Sequence, residues 1–70
     1  MNDKDIGLRL KSGSNRLLTA SEVADILECS EGMAYKVIRE LNEELRAQGY
    51  YTLRGKVSRK YLNERFFGEM

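Results

Sequence analysis

The stretch LLTASEVADILECSEGMAYKVIREL, residues 17–41, contains two runs of apolar residues at helical spacing, separated by a short polar junction. In the first run, Thr19 and Glu22 have the spacing of a capping box, in which each side chain binds the backbone amide of the other residue. This box predicts a helix that starts after Thr19 and ends near Leu27. One face of this helix is apolar, at the i, i+3, i+4 and i+7 spacing: Ala20, Val23, Ala24 and Leu27.

The second run predicts a longer helix, over residues 31–48. Ser30 is a favourable N-cap, and Gly49 is a favourable residue at which the chain leaves a helix. Its apolar stripe comprises Ala34, Val37, Ile38, Leu41 and Leu45. A short junction between two helices forces them to cross steeply, which is the helix-turn-helix arrangement.

The junction between these helices contains Cys29, the only cysteine of the chain. It is either a reactive thiol or a small residue that fills the turn. A reactive cysteine needs a basic environment that favours the thiolate, whereas Cys29 lies between Glu28 and Glu31 in the sequence. We therefore expect Cys29 to point inward and to be inert.

The segment after the second helix favours extended structure. Residues 50–53 contain two tyrosines, a threonine and a leucine, and Gly55 marks a turn before Lys56 and Val57. This pattern predicts a small β-hairpin in which the segment after Gly55 returns along residues 50–53.

A third helix is predicted from Ser58, its N-cap, to Gly68, where it ends. Leu62 and Phe66 lie one turn apart and are expected to close the core, with Tyr61 or Phe67 adding to it. The predicted fold class is therefore mainly α with a small β-hairpin, a winged helix-turn-helix.

The predicted domain covers residues 16–68, and residues 1–15 are expected to form a flexible N-terminal arm. The arm is polar and ends in KSGSN, a composition typical of a flexible connector. Ile6, Leu8 and Leu10 alternate with other residues, so a short strand and an arm that becomes ordered on binding remain alternatives.

The composition of the 70 residues excludes several classes of function. Without histidine and with one cysteine, the chain cannot form a Cys/His zinc site or a Ser-His-Asp device. A chain of this size leaves little room for both a core and a catalytic cleft, so we expect no enzyme, no metal and no cofactor. No apolar run has the length of a membrane span, and the N-terminus lacks the apolar core of a signal peptide, so we expect a cytoplasmic protein.

The net charge is only +1, but the charges are unevenly distributed. Residues 17–34 contain four acidic side chains and no basic one, whereas residues 54–60 contain four basic side chains and no acidic one: Arg54, Lys56, Arg59 and Lys60. Arg59 and Lys60 would open the third helix, where cations oppose the helix dipole. This placement indicates a role outside the fold, and phosphate contact fits it.

The segments LLTASEVADILECSEGMAYKVIRELNEEL and GKVSRKYLNERFFG resemble the small excisionase-like and MerR-like helix-turn-helix proteins of bacterial mobile elements. The resemblance covers residues 16–68. It implies a winged helix-turn-helix whose second helix reads the major groove, with a wing on a neighbouring backbone or minor groove. It also implies a protein that bends DNA and assists a tyrosine recombinase, without being a nuclease or recombinase itself.

The resemblance also implies which residues contact DNA. On the second helix these are Ser30, Glu31, Gly32, Tyr35, Lys36 and Arg39. In the wing and at the start of the third helix they are Arg54, Lys56, Arg59 and Lys60. Met33 is expected to fill the core, the alternative being an apolar contact with a thymine methyl group.

One residue departs from the helix-turn-helix pattern. Glu28 occupies the turn position that such motifs usually give to glycine, because the backbone there is left-handed. A residue with a side chain costs about 1 kcal/mol in that conformation. Either Glu28 accepts this cost or the turn has a different geometry.

The sequence therefore predicts a sequence-specific DNA-binding protein of excisionase type, an architectural accessory factor for site-specific recombination. Its expected partners are double-stranded DNA, an integrase of the tyrosine recombinase class, and further copies of the chain on adjacent DNA sites, with no membrane. Two alternatives use the same fold: a transcriptional repressor of a mobile element or phage, and a protein-interaction module, which the low net charge of +1 leaves open.

Overall fold

The computed structural model describes residues 16–68, and the predicted N-terminal arm, residues 1–15, lies outside them. Three helices and two short strands follow one another in the order β1 (Leu17–Thr19), α1 (Ala20–Leu27), α2 (Glu31–Ala47), β2 (Lys56–Ser58) and α3 (Arg59–Phe67). This order confirms the mainly helical winged helix-turn-helix. Among the described residues, no helix is both long and apolar enough to cross a membrane.

Each helix begins at the N-cap that the sequence predicted. The cap hydroxyl accepts a hydrogen bond from the backbone amide three residues later, at 3.2, 3.1 and 3.1 Å for Thr19, Ser30 and Ser58. Glu22 completes the capping box, because its carboxylate accepts from the Thr19 amide at 2.9 Å. This bond, together with nearby Arg16, lowers the pKa of Glu22. The boundaries of the helices are thus fixed by local side chains.

The turn between α1 and α2 has the left-handed geometry usual in a helix-turn-helix motif, although Glu28 stands where such motifs usually have glycine. Glu28 is left-handed, with φ 56° and ψ 50°, so a side-chain-bearing residue accepts the cost of this conformation. The amides of Glu28 and Cys29 both donate to the carbonyl of Ala24, the latter at 3.0 Å. Cys29 is half-buried and packs against the core, which confirms its role in filling the turn.

The two-stranded antiparallel sheet is present, but the predicted partner strand is wrong. β2 pairs with β1, and Leu18 lies opposite Val57 at the centre of the register. This pairing buries both side chains, which are 2% and 0% exposed. Residues 50–53 have no regular structure, and their two tyrosines and leucine are exposed.

The core lies where the sheet and the three helices meet. It consists of Leu18, Ala20, Val23, Ala24, Ala34, Ile38, Leu41, Val57 and Leu62, with Leu27, Val37 and Tyr61 packed against it. Two predicted core residues lie outside it. Met33 is 49% exposed because Ala34 takes the inward position in the first turn of α2. Phe66 is 46% exposed because Leu62 fills the core, so that Phe66 lies at the surface rim between α3 and α2.

Helices α2 and α3 are joined by a polar contact around Glu44. Its carboxylate accepts from the Tyr61 hydroxyl at 2.7 Å and from Nε and Nη2 of Arg65 at 2.8 and 2.9 Å. The bonds from Arg65 and Tyr61 lower the pKa of Glu44 to about 2, and the hydrogen bond to the Glu44 carboxylate raises the pKa of Arg65. This contact fixes α3 against the second half of α2.

Candidate nucleic-acid interface

The predicted reading surface is the outer side of the first half of α2. All six predicted residues on it are exposed: Ser30, Glu31, Gly32, Tyr35, Lys36 and Arg39. They are exposed because the inner side of the same turns, Ala34 and Ile38, is buried in the core. The sequence therefore assigned the two sides of this helix correctly.

The first turn of α2 is open to a ligand. The Ser30 hydroxyl caps the helix, and a Cβ built on Gly32 would meet only this hydroxyl oxygen, at 4.0 Å. Free backbone amides at the start of a helix attract anions, above all phosphate. Nothing bulky in the described residues would stop a DNA backbone from approaching Gly32.

A groove of about 430 Å³ separates α2 from residues 50–58, which we call the wing. Tyr35 and Arg39 line it from the helix, and Arg54 and Gly55 line it from the wing. The Tyr35 ring lies close to Gly55, since a Cβ at Gly55 would be 3.8 Å from its Cε1 atom. Members of both predicted sets of DNA-contacting residues thus line one groove.

The charge in this groove is predominantly positive. Its lining includes three arginines, Arg39, Arg46 and Arg54, and one acid, Glu43. A cleft with one dominant sign of charge raises the local concentration of ligands with the opposite charge. Polyanionic DNA matches this charge. Within residues 16–68, no three His, Cys, Asp or Glu side chains cluster closely enough to hold a metal ion.

The wing is held to α2 by side chains that the sequence analysis did not identify. Asn42 donates its amide hydrogens to the carbonyls of Leu53 and Lys56, at 3.1 and 2.9 Å. Arg46 donates from Nη1 to the Thr52 hydroxyl at 2.9 Å. One signal was available, because Asn42 stands four residues after Ile38, at an inward position where an asparagine is unusual.

The other predicted DNA contacts lie outside the groove. Lys36 and Lys56 are exposed and do not line it. Lys60 lines a second groove, of about 360 Å³, together with Tyr50 and Tyr51. Arg59 is half-buried, and its amide donates to the carbonyl of Arg16 at 3.0 Å. Of the ten predicted residues, Tyr35, Arg39 and Arg54 line the first groove and Lys60 lines the second.

Comparison with known proteins assigns the chain to a family. No model of a known protein family matches the chain, and no solved structure is significantly similar to it. The chain is, however, 38% identical over 47 residues to the ICEBs1 excisionase of Bacillus subtilis strain 168, an alignment that covers 67% of this chain and 73% of that protein. With this similarity on a winged helix-turn-helix fold, the chain belongs to the excisionase family.

Proposed function

We propose that this excisionase-family chain binds double-stranded DNA sequence-specifically and acts as an architectural accessory factor for site-specific recombination. One observation carries the proposal: Tyr35 and Arg39 of α2 and Arg54 of the wing line one positively charged groove. A recognition helix and a wing that line one groove of the protein can together contact the major groove of a DNA duplex and its neighbouring minor groove.

The first half of α2 enters the major groove in this proposal. Arg39 and Lys36 donate to guanine O6 and N7 or to phosphate, and the amides of Glu31 and Gly32 bind a phosphate at the start of the helix. The Glu31 carboxylate accepts from a cytosine amine, or lowers affinity for unrelated sequences. Tyr35 stacks or donates from its hydroxyl group.

The wing contacts the neighbouring part of the duplex. The DNA backbone that separates the major groove from the minor groove passes between α2 and the wing. Gly55 has no side chain, which allows this DNA backbone to come close to the wing. Arg54 and Lys56 bind this backbone or the adjacent minor groove. Arg59 and Lys60 bind phosphates farther along, and engagement of several sites bends the duplex.

The protein performs no covalent step in this proposal. An integrase of the tyrosine recombinase class cuts and joins the strands in the cytoplasm, while copies of this chain on adjacent DNA sites hold the duplex in the required shape. The four basic residues at positions 54–60 support a DNA role over that of a protein-interaction module.

A salt titration of binding tests the DNA contact. The logarithm of the binding constant should fall linearly with the logarithm of salt concentration, with a slope of about −0.9 per phosphate contacted. Arg39→Gln should reduce the preference for a duplex selected from a random pool, whereas the double variant Arg54→Gln, Lys56→Gln should weaken all duplexes about equally. Arg16→Gln, which also removes a positive charge, is the control.

The outcomes separate the possibilities. A flat salt response, or no binding of any duplex at low salt, would contradict DNA binding and favour the protein-interaction module. Equal effects of the Arg39 and wing variants would contradict the division of roles. Measured DNA bending and stimulation of excision by the element's integrase would support the architectural role, and selective binding without either effect would identify a repressor.

A further inference from the structure

We propose that Asn42 is a positioning residue, which fixes the wing against α2 so that Arg39 and Arg54 bind one DNA segment as a unit. This inference rests on the proposed DNA binding and extends it to a residue that does not itself touch DNA. Asn42 is 5% exposed, and it is the only polar residue that is buried in the part of the chain that the structure describes. A buried amide is costly unless it is hydrogen-bonded, so its partners define its role.

The partners of Asn42 are the two ends of one turn. Its Nδ2 atom donates to the Leu53 carbonyl at 3.1 Å and to the Lys56 carbonyl at 2.9 Å. The Lys56 amide closes the same turn by donating to the Leu53 carbonyl at 3.2 Å. Arg54 and Gly55 lie between these anchors. Two bonds from one side chain therefore fix both the distance and the rotation of the turn that carries Arg54.

The position of Asn42 on α2 relates this turn to the reading surface. Asn42 follows Arg39 by three residues and Tyr35 by seven, so all three lie along one side of the helix. They line the same groove, and the Tyr35 ring lies next to Gly55. Asn42 therefore fixes the wing on the side of the helix that is proposed to read DNA.

Such an anchor has an energetic consequence. If the turn is ordered before binding, Arg54 meets DNA without a further loss of loop entropy, and its contact adds to that of Arg39. If the turn is not held in the free protein, the entropy lost when the turn becomes ordered on binding offsets the free energy gained from the Arg54 contact. Arg46, which binds Thr52 at the surface, cannot replace Asn42 because it reaches neither carbonyl of the turn.

A double-mutant cycle tests this role. The affinity of the wild type, Arg54→Ala, Asn42→Leu and the double variant is measured for one duplex at one salt concentration. Leucine fills a similar volume but has no donor for the two carbonyls. We expect Arg54→Ala to weaken binding about tenfold in the wild type and less than about twofold beside Asn42→Leu. Arg39→Ala is the control and should weaken binding by the same factor in both backgrounds.

A purely structural role would not produce this pattern, because lower stability alone leaves the effect of Arg54→Ala unchanged. Asn42→Asp, which keeps the size but replaces the donors with acceptors, repeats the cycle in case the leucine variant does not fold. Additive losses in both cycles would overturn the inference. So would loss of the folded state in both variants, because Asn42 would then support the whole domain.

The same measurements distinguish this inference from the proposed function. Absence of wild-type binding to any duplex at low salt would overturn DNA binding and, with it, the role of Asn42. Wild-type binding with additive losses would overturn the role of Asn42 alone. Relaxation of the backbone amides of residues 53–56 in the free protein gives a second readout, and we expect faster internal motion there in Asn42→Leu.

Discussion

Helix α2 is preceded by a short turn, residues 28–30, and followed by the wing, residues 50–58. The turn is held by its immediate neighbours: two amides bind the Ala24 carbonyl, Cys29 packs on the core, and Ser30 caps the next helix. The wing is held by the pairing of β2 with β1 and by Asn42, which lies 11 and 14 residues from its two partners. One connection is therefore local in sequence, and the other depends on the completed fold.

This difference separates stability from binding. Changes in the turn act on the packing of α1 against α2 and should lower or raise the stability of the whole domain. Changes in the anchors of the wing should leave most of the core intact, because the core contains only Val57 from the wing. The comparison predicts graded effects on stability, the largest of them in the turn.

The largest effect is expected from a charge at Cys29. Cys29→Asp places a carboxylate against the core beside acidic neighbours and should lower the free energy of unfolding by about 3 kcal/mol. Cys29→Ala, the control, removes only the thiol group and should cost about 1 kcal/mol. Urea denaturation measures both values, and equal stability of the two variants would mean that Cys29 does not fill the turn.

Loss of the cap at Ser30 should have the next largest effect. Ser30→Ala leaves the Met33 amide without its acceptor and should cost about 1 kcal/mol. Ser21→Ala changes an exposed serine inside α1 and serves as the matched control, with an effect of a few tenths of a kcal/mol. Indistinguishable urea midpoints for the two variants would contradict the capping role.

A smaller effect of opposite sign is expected at Glu28. Glu28→Gly relieves the left-handed strain and should stabilise the protein by about 0.5 kcal/mol, after the greater flexibility of glycine in the unfolded chain is counted. Glu28→Asn removes the same charge in a residue that tolerates this conformation, and it should give a smaller gain. A loss of stability in Glu28→Gly would show that the Glu28 side chain has a stabilising contact.

The smallest effect at neutral pH is expected at Glu44, where α2 contacts α3, because its ion pair with Arg65 is partly exposed. The folded-state pKa of Glu44, about 2, lies below the ordinary 4.5. Its contribution is therefore fully present above about pH 4.5 and is lost as the pH falls towards 2. Glu44→Gln should remove this part of the acid sensitivity, as measured by urea midpoints between pH 7 and 2.

Glu40→Gln, an exposed change on the same helix, is the control for the acid titration. Its stability should follow the pH dependence of the wild type. If Glu44→Gln also followed the wild type at every pH, the contact of Glu44 with Tyr61 and Arg65 would contribute nothing to the docking of α3.

Local features of this fold could be predicted from the sequence because neighbouring residues determine them. The three N-caps, the inward Cys29 and the two sides of α2 all follow from side chains within a few positions of one another. The left-handed backbone at Glu28 was recognised as an open question for the same reason. Each of these features needs only the helical period and the chemistry of a cap.

Features that join distant parts of the chain could not be predicted. The pairing of Leu18 with Val57 requires the sheet to form across two helices, and residues 50–53 offered a plausible nearer partner. Phe66 had the right spacing for the core, but only the packed structure shows that Leu62 fills it. In the candidate interface, exposure of Arg39 was predictable, whereas its grouping with Arg54 and the separate location of Lys60 were not.

The most direct measurement is a titration of the isotope-labelled protein with a short duplex at low salt, followed by the backbone amide shifts. If α2 and the wing bind DNA together, the largest shifts should fall on residues 30–39 and 53–56, with little change in α1. A largest response at the exposed end of α3, around Phe66, or no response at any residue, would contradict this interface.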